Sequence, residues 1–155
     1  MAARETPATI AARKSGVDFR LHEYEHDPSA DSYALEATEA LGLDPARVFK
    51  TLVVSRDDGL AVCIVPAADT LDLRALGKRV ELAPMAKAER TTGYVAGGIS
   101  PLGQRRRLPT LVDDSALEQE TVYVSAGRRG LEIELAPADL VRLTDAQVRR
   151  LRRDR

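Results

Sequence analysis

Seven consecutive residues, Gly97-Gly98-Ile99-Ser100-Pro101-Leu102-Gly103, constrain this chain more than any other stretch. Three glycines, a serine and a proline cannot form the interior of a helix or a strand. Glycine reaches positive φ and admits close approach of another molecule to the backbone. Pro101 fixes its own φ and biases Ser100 toward an extended conformation. The segment is expected to be a rigid loop with backbone N–H groups free to face a ligand oxygen. That oxygen could belong to a carboxyl group, a phosphate or a developing oxyanion. The competing reading is a tight turn between two strands.

The flanks of the loop predict many short elements. Thr6-Pro7 caps and starts a helix that Gly16 stops, and with Ile10 flanked by alanines this helix is expected to pack lightly. Val17 to Tyr24 alternates as a strand, ended by Asp27-Pro28. Ser32 caps a helix over Tyr33 to Leu41, and Gly42 closes it. After a turn at Asp44-Pro45, Val48 to Ser55 and Leu60 to Val65 read as a hairpin around Asp57-Asp58-Gly59. Asp72 to Lys78 and Pro84 to Arg90 read as helices on either side of a short strand, Val80 to Leu82. Beyond the loop come a strand at Leu111-Val112, a short helix over Asp114 to Glu120, and strands at Val122 to Ser125 and Leu131 to Leu135. Pro137 and Asp139 open C-terminal helices carrying arginines 149, 150, 152, 153 and 155. Irregularly mixed strands and helices with a central hairpin argue for an α+β fold with a mixed sheet, not a doubly wound one.

At 155 residues the chain is expected to form one domain with a substantial core. A net charge of −1 excludes a polycation, so nucleic acid would be met through local clusters such as Arg105-Arg106-Arg107 and Arg128-Arg129. The single cysteine, Cys63, excludes an internal disulfide framework and fits a reducing cytoplasm. No apolar run has membrane-spanning length, and the first residues show no signal-peptide pattern, so neither a membrane span nor a leader is expected.

Two motifs fail on their context. His22-Glu23-Tyr24-Glu25-His26 matches the H-E-x-x-H zinc pattern, which requires a helix to bring residues i and i+4 together. Here the residues continue a strand, where four residues span about 13 Å. Gly98 to Gly103 has P-loop spacing, but Gln104 stands where lysine is required and Arg105 where serine or threonine is. No metal or other cofactor is expected. Cys63, inside Ala61-Val62-Cys63-Ile64-Val65, reads as a buried, unreactive thiol. Lys50 shares a strand face with Val48, Leu52 and Val54. It is either an edge lysine that snorkels to solvent or a cation at a pocket floor, placed to meet a carboxyl or phosphate oxygen.

The order of the blocks is specific. Tyr24 to Pro28, Phe49-Lys50-Thr51-Leu52, Gly97 to Gly103 running on to Pro109, Tyr123-Val124-Ser125-Ala126-Gly127 and Gly130 to Leu135 together closely resemble the YbaK family of Cys-tRNA(Pro) deacylases. These are free-standing relatives of the editing domain of bacterial prolyl-tRNA synthetases. The resemblance runs from about Thr6 to about Leu143. It implies an α+β domain with a curved, partly barrel-like mixed sheet surrounded by short helices. It implies trans-editing of cysteine misattached to tRNA(Pro) at the tRNA acceptor end, in the cytoplasm, with prolyl-tRNA synthetase as partner.

By motif position Lys50 matches the essential lysine of the family, beside Thr51. Gly97, Gly98, Ile99, Ser100, Pro101, Leu102 and Gly103 match the loop that embraces the aminoacyl group. Tyr24 and Tyr33 match pocket walls, and Ser125 and Gly127 the far wall. Glu132 stands where relatives often carry aspartate. The family chemistry is substrate-assisted: the cysteine thiol attacks its own ester. That fits a sequence with no Ser-His-Asp or Cys-His arrangement in a suitable context. The alternatives are removal of alanine or another small residue from tRNA, and a non-catalytic tRNA- or synthetase-binding module.

Overall fold

The computed structural model of the protein describes residues 4–30 and 32–153. Its first helix, α1 (Pro7–Ser15), opens on a reciprocal cap: Thr6 Oγ1 accepts from the Thr9 N–H, and Thr9 Oγ1 accepts from the Thr6 N–H at 2.8 Å. The helix does not pack lightly. Ala8, Thr9 and Ala12 are fully buried, because small side chains let the helix axis approach the sheet closely. Thr6 Oγ1 also donates to the Ala126 carbonyl at 2.5 Å, fixing the helix start to a strand.

The strands form two sheets. In the first, β1 (Phe19–Glu23), β7 (Leu131–Leu135) and β6 (Val122–Arg128) run antiparallel in the order β1-β7-β6. In the second, β4 (Glu81–Leu82), β2 (Phe49–Arg56), β3 (Gly59–Pro66), β5 (Thr110–Asp113) and β8 (Gln147–Arg149) follow the order β4-β2-β3-β5-β8. The β2–β3 hairpin is antiparallel, whereas β5 joins β3, and β8 joins β5, in parallel. The α+β class holds. The strands divide between two sheets, linked by a bridge between Val48 and Tyr123, and close no barrel among the described residues.

The hairpin is buried on both faces, which explains its near-continuous aliphatic sequence. Phe49, Val53, Val62 and Ile64 pack with Val122, Val124, Leu131 and Ile133 of the other sheet. Val54, Ala61, Cys63 and Val65 pack with Leu71, Leu111 and Leu151. Burial pushes the Cys63 thiol up to about 11, so it stays protonated and inert, as its sequence context indicated.

Helices α2 (Tyr33–Leu41), α3 (Met85–Thr92) and α4 (Pro137–Thr144) stand close to where their caps predict. Two predicted helices shrink to 3₁₀ turns, Leu73–Leu76 and Asp114–Glu118. The C-terminus departs most. Asp145, at φ 53°, ends α4, and the chain then becomes the edge strand β8 instead of another helix. The cause is Asp113, which is fully buried and accepts from the Leu151 and Arg152 N–H groups at 2.7 and 3.0 Å. Arginines 149, 150, 152 and 153 therefore lie on an edge strand and a tail, and Arg155 lies outside the described residues.

Candidate active site

Strand β2 has different neighbours along its length. β4 pairs only with Val54 and Ser55, and Val48, just before β2, bridges to β6. Between these contacts Phe49, Lys50, Thr51 and Leu52 pair with β3 on one side and with no strand on the other, among the described residues. A cavity of about 260 Å³ is lined by this open length of strand. Its other walls come from Tyr24 after β1, Ser32, Tyr33 and Ala34 at the start of α2, Met85 on α3, Gly97 and Ile99 of the glycine loop, Ser125 on β6 and Glu132 on β7.

Lys50 is half-buried in this lining. Burial pushes its ammonium below the ordinary lysine range, and the Asp69 carboxylate partly opposes that shift. Glu132 is only 6% exposed, and burial pushes its carboxyl up to about 8. At neutral pH it is therefore mainly protonated and offers an O–H donor. Tyr24 is pushed up to about 12, first by burial and then by the Glu132 charge, so it remains a neutral phenol. Thr51 Oγ1 is buried without a hydrogen-bond partner among the described residues. Ser125 Oγ accepts from the Gly127 N–H at 3.2 Å.

The glycine loop divides into two functions. Gly97 and Ile99 reach the cavity, whereas Gly98, Ser100, Pro101, Leu102 and Gly103 do not line it. A Cβ on Gly97, whose φ is +81°, would stand 2.5 Å from the Tyr33 ring. Gly103 passes so near α1 that a Cβ there would stand 2.4 Å from the Pro7 carbonyl oxygen. Ser100 is fully buried and its Oγ accepts from the Leu102 N–H, while the Leu102 carbonyl accepts from the Tyr94 hydroxyl at 2.6 Å. This second half anchors the loop. Nor are all its N–H groups free: that of Gly98 is spent on the Val95 carbonyl and that of Leu102 on Ser100. Those of Gly97, Ile99 and Ser100 make no hydrogen bond among the described residues. Gly127 is also absent from the lining and packs against Tyr94 and Thr6.

Tyr24, Tyr33, Lys50, Thr51, Gly97, Ile99, Ser125 and Glu132 thus converge from elements far apart in sequence. Phe49, Leu52, Ala34, Ser32 and Met85 complete the lining without having been singled out as wall residues. Alternation along a strand separates Lys50 from Phe49 and Thr51, but an open strand edge presents side chains of both faces. Ser32 showed only its capping signal, and Met85, 51% exposed, carried none.

The two histidines stand on separate carboxylates. His22, in β1, bonds Glu134 at 2.9 Å, and His26, beyond the strand, bonds Glu36 at 2.8 Å. The H-E-x-x-H letters thus lie on a strand and its exit, not on a helix.

The family model described as an aminoacyl-tRNA editing domain matches residues 27–143. A protein of Enterococcus faecalis named "Putative Cys-tRNA(Pro)/Cys-tRNA(Cys) deacylase EbsC" is 40% identical over 132 residues, covering 81% of this chain and 80% of that protein. A solved structure described as "a putative trans-editing enzyme for prolyl tRNA synthetase" is 26% identical, with a TM-score of 0.82 over 97% of this chain and 99% of that one. The structure of a hypothetical protein, 25% identical, superposes with a TM-score of 0.84 over 96% of this chain and 100% of that one.

Proposed function

Because the chain belongs to the aminoacyl-tRNA editing domain family, we propose that it is a trans-editing deacylase that removes cysteine from mischarged tRNA(Pro). A synthetase pocket discriminates by only about 1–3 kcal/mol per methylene-sized difference, so cysteine enters a proline site and a second site must reject it. The E. faecalis relative, named for this ester, supports the substrate.

The observation that carries the reading is a half-buried lysine in a cavity whose lining holds no histidine and no cysteine. Lys50 is the catalytic residue: its cation faces the ester and the 3′ end of the tRNA. The uncommitted N–H groups of Gly97 and Ile99, the two loop residues that reach the cavity, favour oxygen on the acyl group as negative charge develops there, and buried Ser100 anchors the loop behind them. Tyr24, Tyr33, Thr51, Ser125 and Glu132 hold the aminoacyl group, while Gly98, Pro101, Leu102, Gly103 and Gly127 keep these walls in place. The nucleophile comes from the substrate. Its thiol gives up its proton, and the sulfur bonds to the ester carbonyl carbon to close a four-membered thiolactone. The bond from that carbon to the ribose oxygen breaks, and the released oxygen takes up the proton that the thiol lost. The protein contributes positioning and electrostatics.

Prolyl-tRNA synthetase is the partner that this reading supplies for tRNA selection, and the cytoplasm is the compartment. Among the described residues no helix is long and apolar enough to cross a membrane. The test is ester cleavage of Cys-tRNA(Pro), Ala-tRNA(Pro) and Ser-tRNA(Pro) by wild type and Lys50→Ala. Loss of the cysteine ester alone, abolished in a folded Lys50→Ala protein, is the expected result. Equal cleavage of all three rejects the substrate-thiol mechanism, and full activity in Lys50→Ala rejects the assigned site.

A further inference from the structure

Arg128-Arg129 stands at the turn between β6 and β7, and its two guanidinium groups have different surroundings. Arg128 lies 3.4 Å from the Glu23 carboxylate. Arg129 is exposed and is held by one face of the cavity mouth. Its Nε donates to the Ala96 carbonyl at 2.7 Å, the residue immediately before Gly97. Its Cζ lies 5.2 Å from the centroid of the Tyr33 ring. Both Gly97 and Tyr33 line the cavity. The terminal nitrogens of Arg129 make no hydrogen bond or ion pair among the described residues.

This arrangement costs the guanidinium little freedom when it binds. The Nε–H bond to Ala96 and the cation–π contact with Tyr33 hold the guanidinium, and the terminal edge of the fork is left to donate. A guanidinium edge matches the oxygens of a phosphate in a bidentate fashion, and an anchored one loses less side-chain entropy on binding than a free one. Arg129 is not among the residues that line the cavity, so the acyl group itself is left to Lys50 and the loop amides. What stands at the rim, when an aminoacyl group fills the cavity, is the ribose that carries it. The nearest anion on that ribose is its 5′-phosphate.

We propose that Arg129 is a positioning residue that grips the phosphodiester on the 5′ side of the terminal nucleotide of the aminoacyl-tRNA. The assignment rests on the deacylase reading and adds to it the way the acceptor end is registered. The contact ties the terminal nucleotide to the cavity mouth in the ground state and the transition state alike, which lowers KM and leaves kcat unchanged.

The experiment compares two substrates with the same ester: Cys-tRNA(Pro), and 3′-O-cysteinyl adenosine, which carries no phosphate. Wild type, Arg129→Gln and Arg129→Lys are assayed at several salt concentrations. Arg129→Gln is expected to raise KM for the tRNA substrate about tenfold, the loss of one charge-assisted contact, with kcat retained. Its KM for the adenosine ester should equal that of wild type. The salt dependence of the tRNA reaction should become shallower by about one phosphate contact. Arg129→Lys keeps the charge without the fork and should fall between the two in KM. An equal rise of KM for both substrates means that Arg129 only supports Tyr33, and it overturns the proposal. Unchanged kinetics in Arg129→Gln, with wild type cleaving both esters, also overturns it while leaving the deacylase reading intact. A wild type that cleaves neither ester rejects the deacylase reading itself and with it this assignment.

Discussion

The Tyr33 ring rests on the backbone of Gly97, with no room between them for a methyl group: a Cβ at 97 would lie 2.5, 2.6 and 2.7 Å from three ring carbons. Gly97→Ala therefore meets two obstacles, the ring and a φ of +81°. The left-handed backbone costs about 1–2 kcal/mol for a residue with a Cβ. Tyr33 is 39% exposed and can swing outward, so the clash is relieved by losing a cavity wall. Gly97→Ala should lower stability by roughly that backbone cost and reduce kcat/KM on aminoacyl-tRNA. In a double-mutant cycle with Tyr33→Ala, the activity losses should be strongly less than additive. Additive losses would mean that the ring and the glycine act separately.

Glu132 makes stability depend on pH in an unusual direction. Its folded carboxyl is raised by burial from 4.5 to about 8. Between those values the unfolded chain has lost the proton and the folded chain still holds it. The unfolded state then binds fewer protons, so stability falls as pH rises, by about 1.4 kcal/mol per unit for one group. The contribution is fully present below 4.5 and is lost as pH passes the folded value near 8. Glu132→Gln, which keeps shape and a donor but cannot ionise, should flatten this slope. Urea midpoints of wild type and variant from pH 5 to 9 measure it; parallel curves would contradict the assignment.

The Asp113 clasp has the opposite sign. Burial alone would raise this carboxyl, but hydrogen bonds from Ser115, Leu151 and Arg152 outweigh it and hold it below the usual range. Its contribution is present above the unfolded pKa and is lost as pH falls through the folded one. Arg152 reaches its Oδ2 at 2.6 Å. Asp113→Ala leaves the Leu151 and Arg152 N–H groups without their acceptor, while the Arg152 guanidinium keeps Asp114 at 2.6 Å, and should cost about 1–3 kcal/mol. Amide exchange at Leu151 and Arg152 should rise together with the loss of global stability. A variant with wild-type exchange at both amides would show that the tail is held by Leu151 packing alone.

Much of this architecture is written in local signals. Thr6-Pro7, Ser32, Asp57-Asp58-Gly59 and Gly93 mark element ends through chemistry that acts within four residues, and each stands where its chemistry predicts. The C-terminal strand was not legible, because Asp113, which captures Leu151 and Arg152, lies 38 and 39 residues earlier in the chain. The division into two sheets was hidden for a related reason: the gap beside Phe49 to Leu52 exists because β4 is only two residues long. In the candidate site, Lys50 stood out as a charge within aliphatic alternation, and the glycine loop through its composition. Which loop residues face the cavity was not legible, since Gly97 and Gly103 look alike in sequence and differ only in what passes beside them. Glu132 appeared as one of two carboxylates alternating along a strand; its burial depends on β7 being the central strand between β1 and β6, where it pairs with His22 and Ser125.

Thr51 separates stability from activity. Its Oγ1 is buried and has no hydrogen-bond partner among the described residues, yet the residue lines the cavity. A buried hydroxyl without a partner costs about 1–3 kcal/mol relative to one that is satisfied. Thr51→Val replaces that oxygen with a methyl group of nearly the same shape on a strand that favours valine. The variant should therefore be more stable than wild type, by about 1 kcal/mol. If the hydroxyl meets the aminoacyl group, the same variant should lose roughly tenfold in kcat/KM, the equivalent of one hydrogen bond. Thr51→Ser keeps the oxygen and should retain most of the activity. Thermal unfolding and deacylation kinetics of the three proteins decide the matter. A Thr51→Val protein that is both more stable and fully active would show that the hydroxyl serves neither the fold nor the substrate.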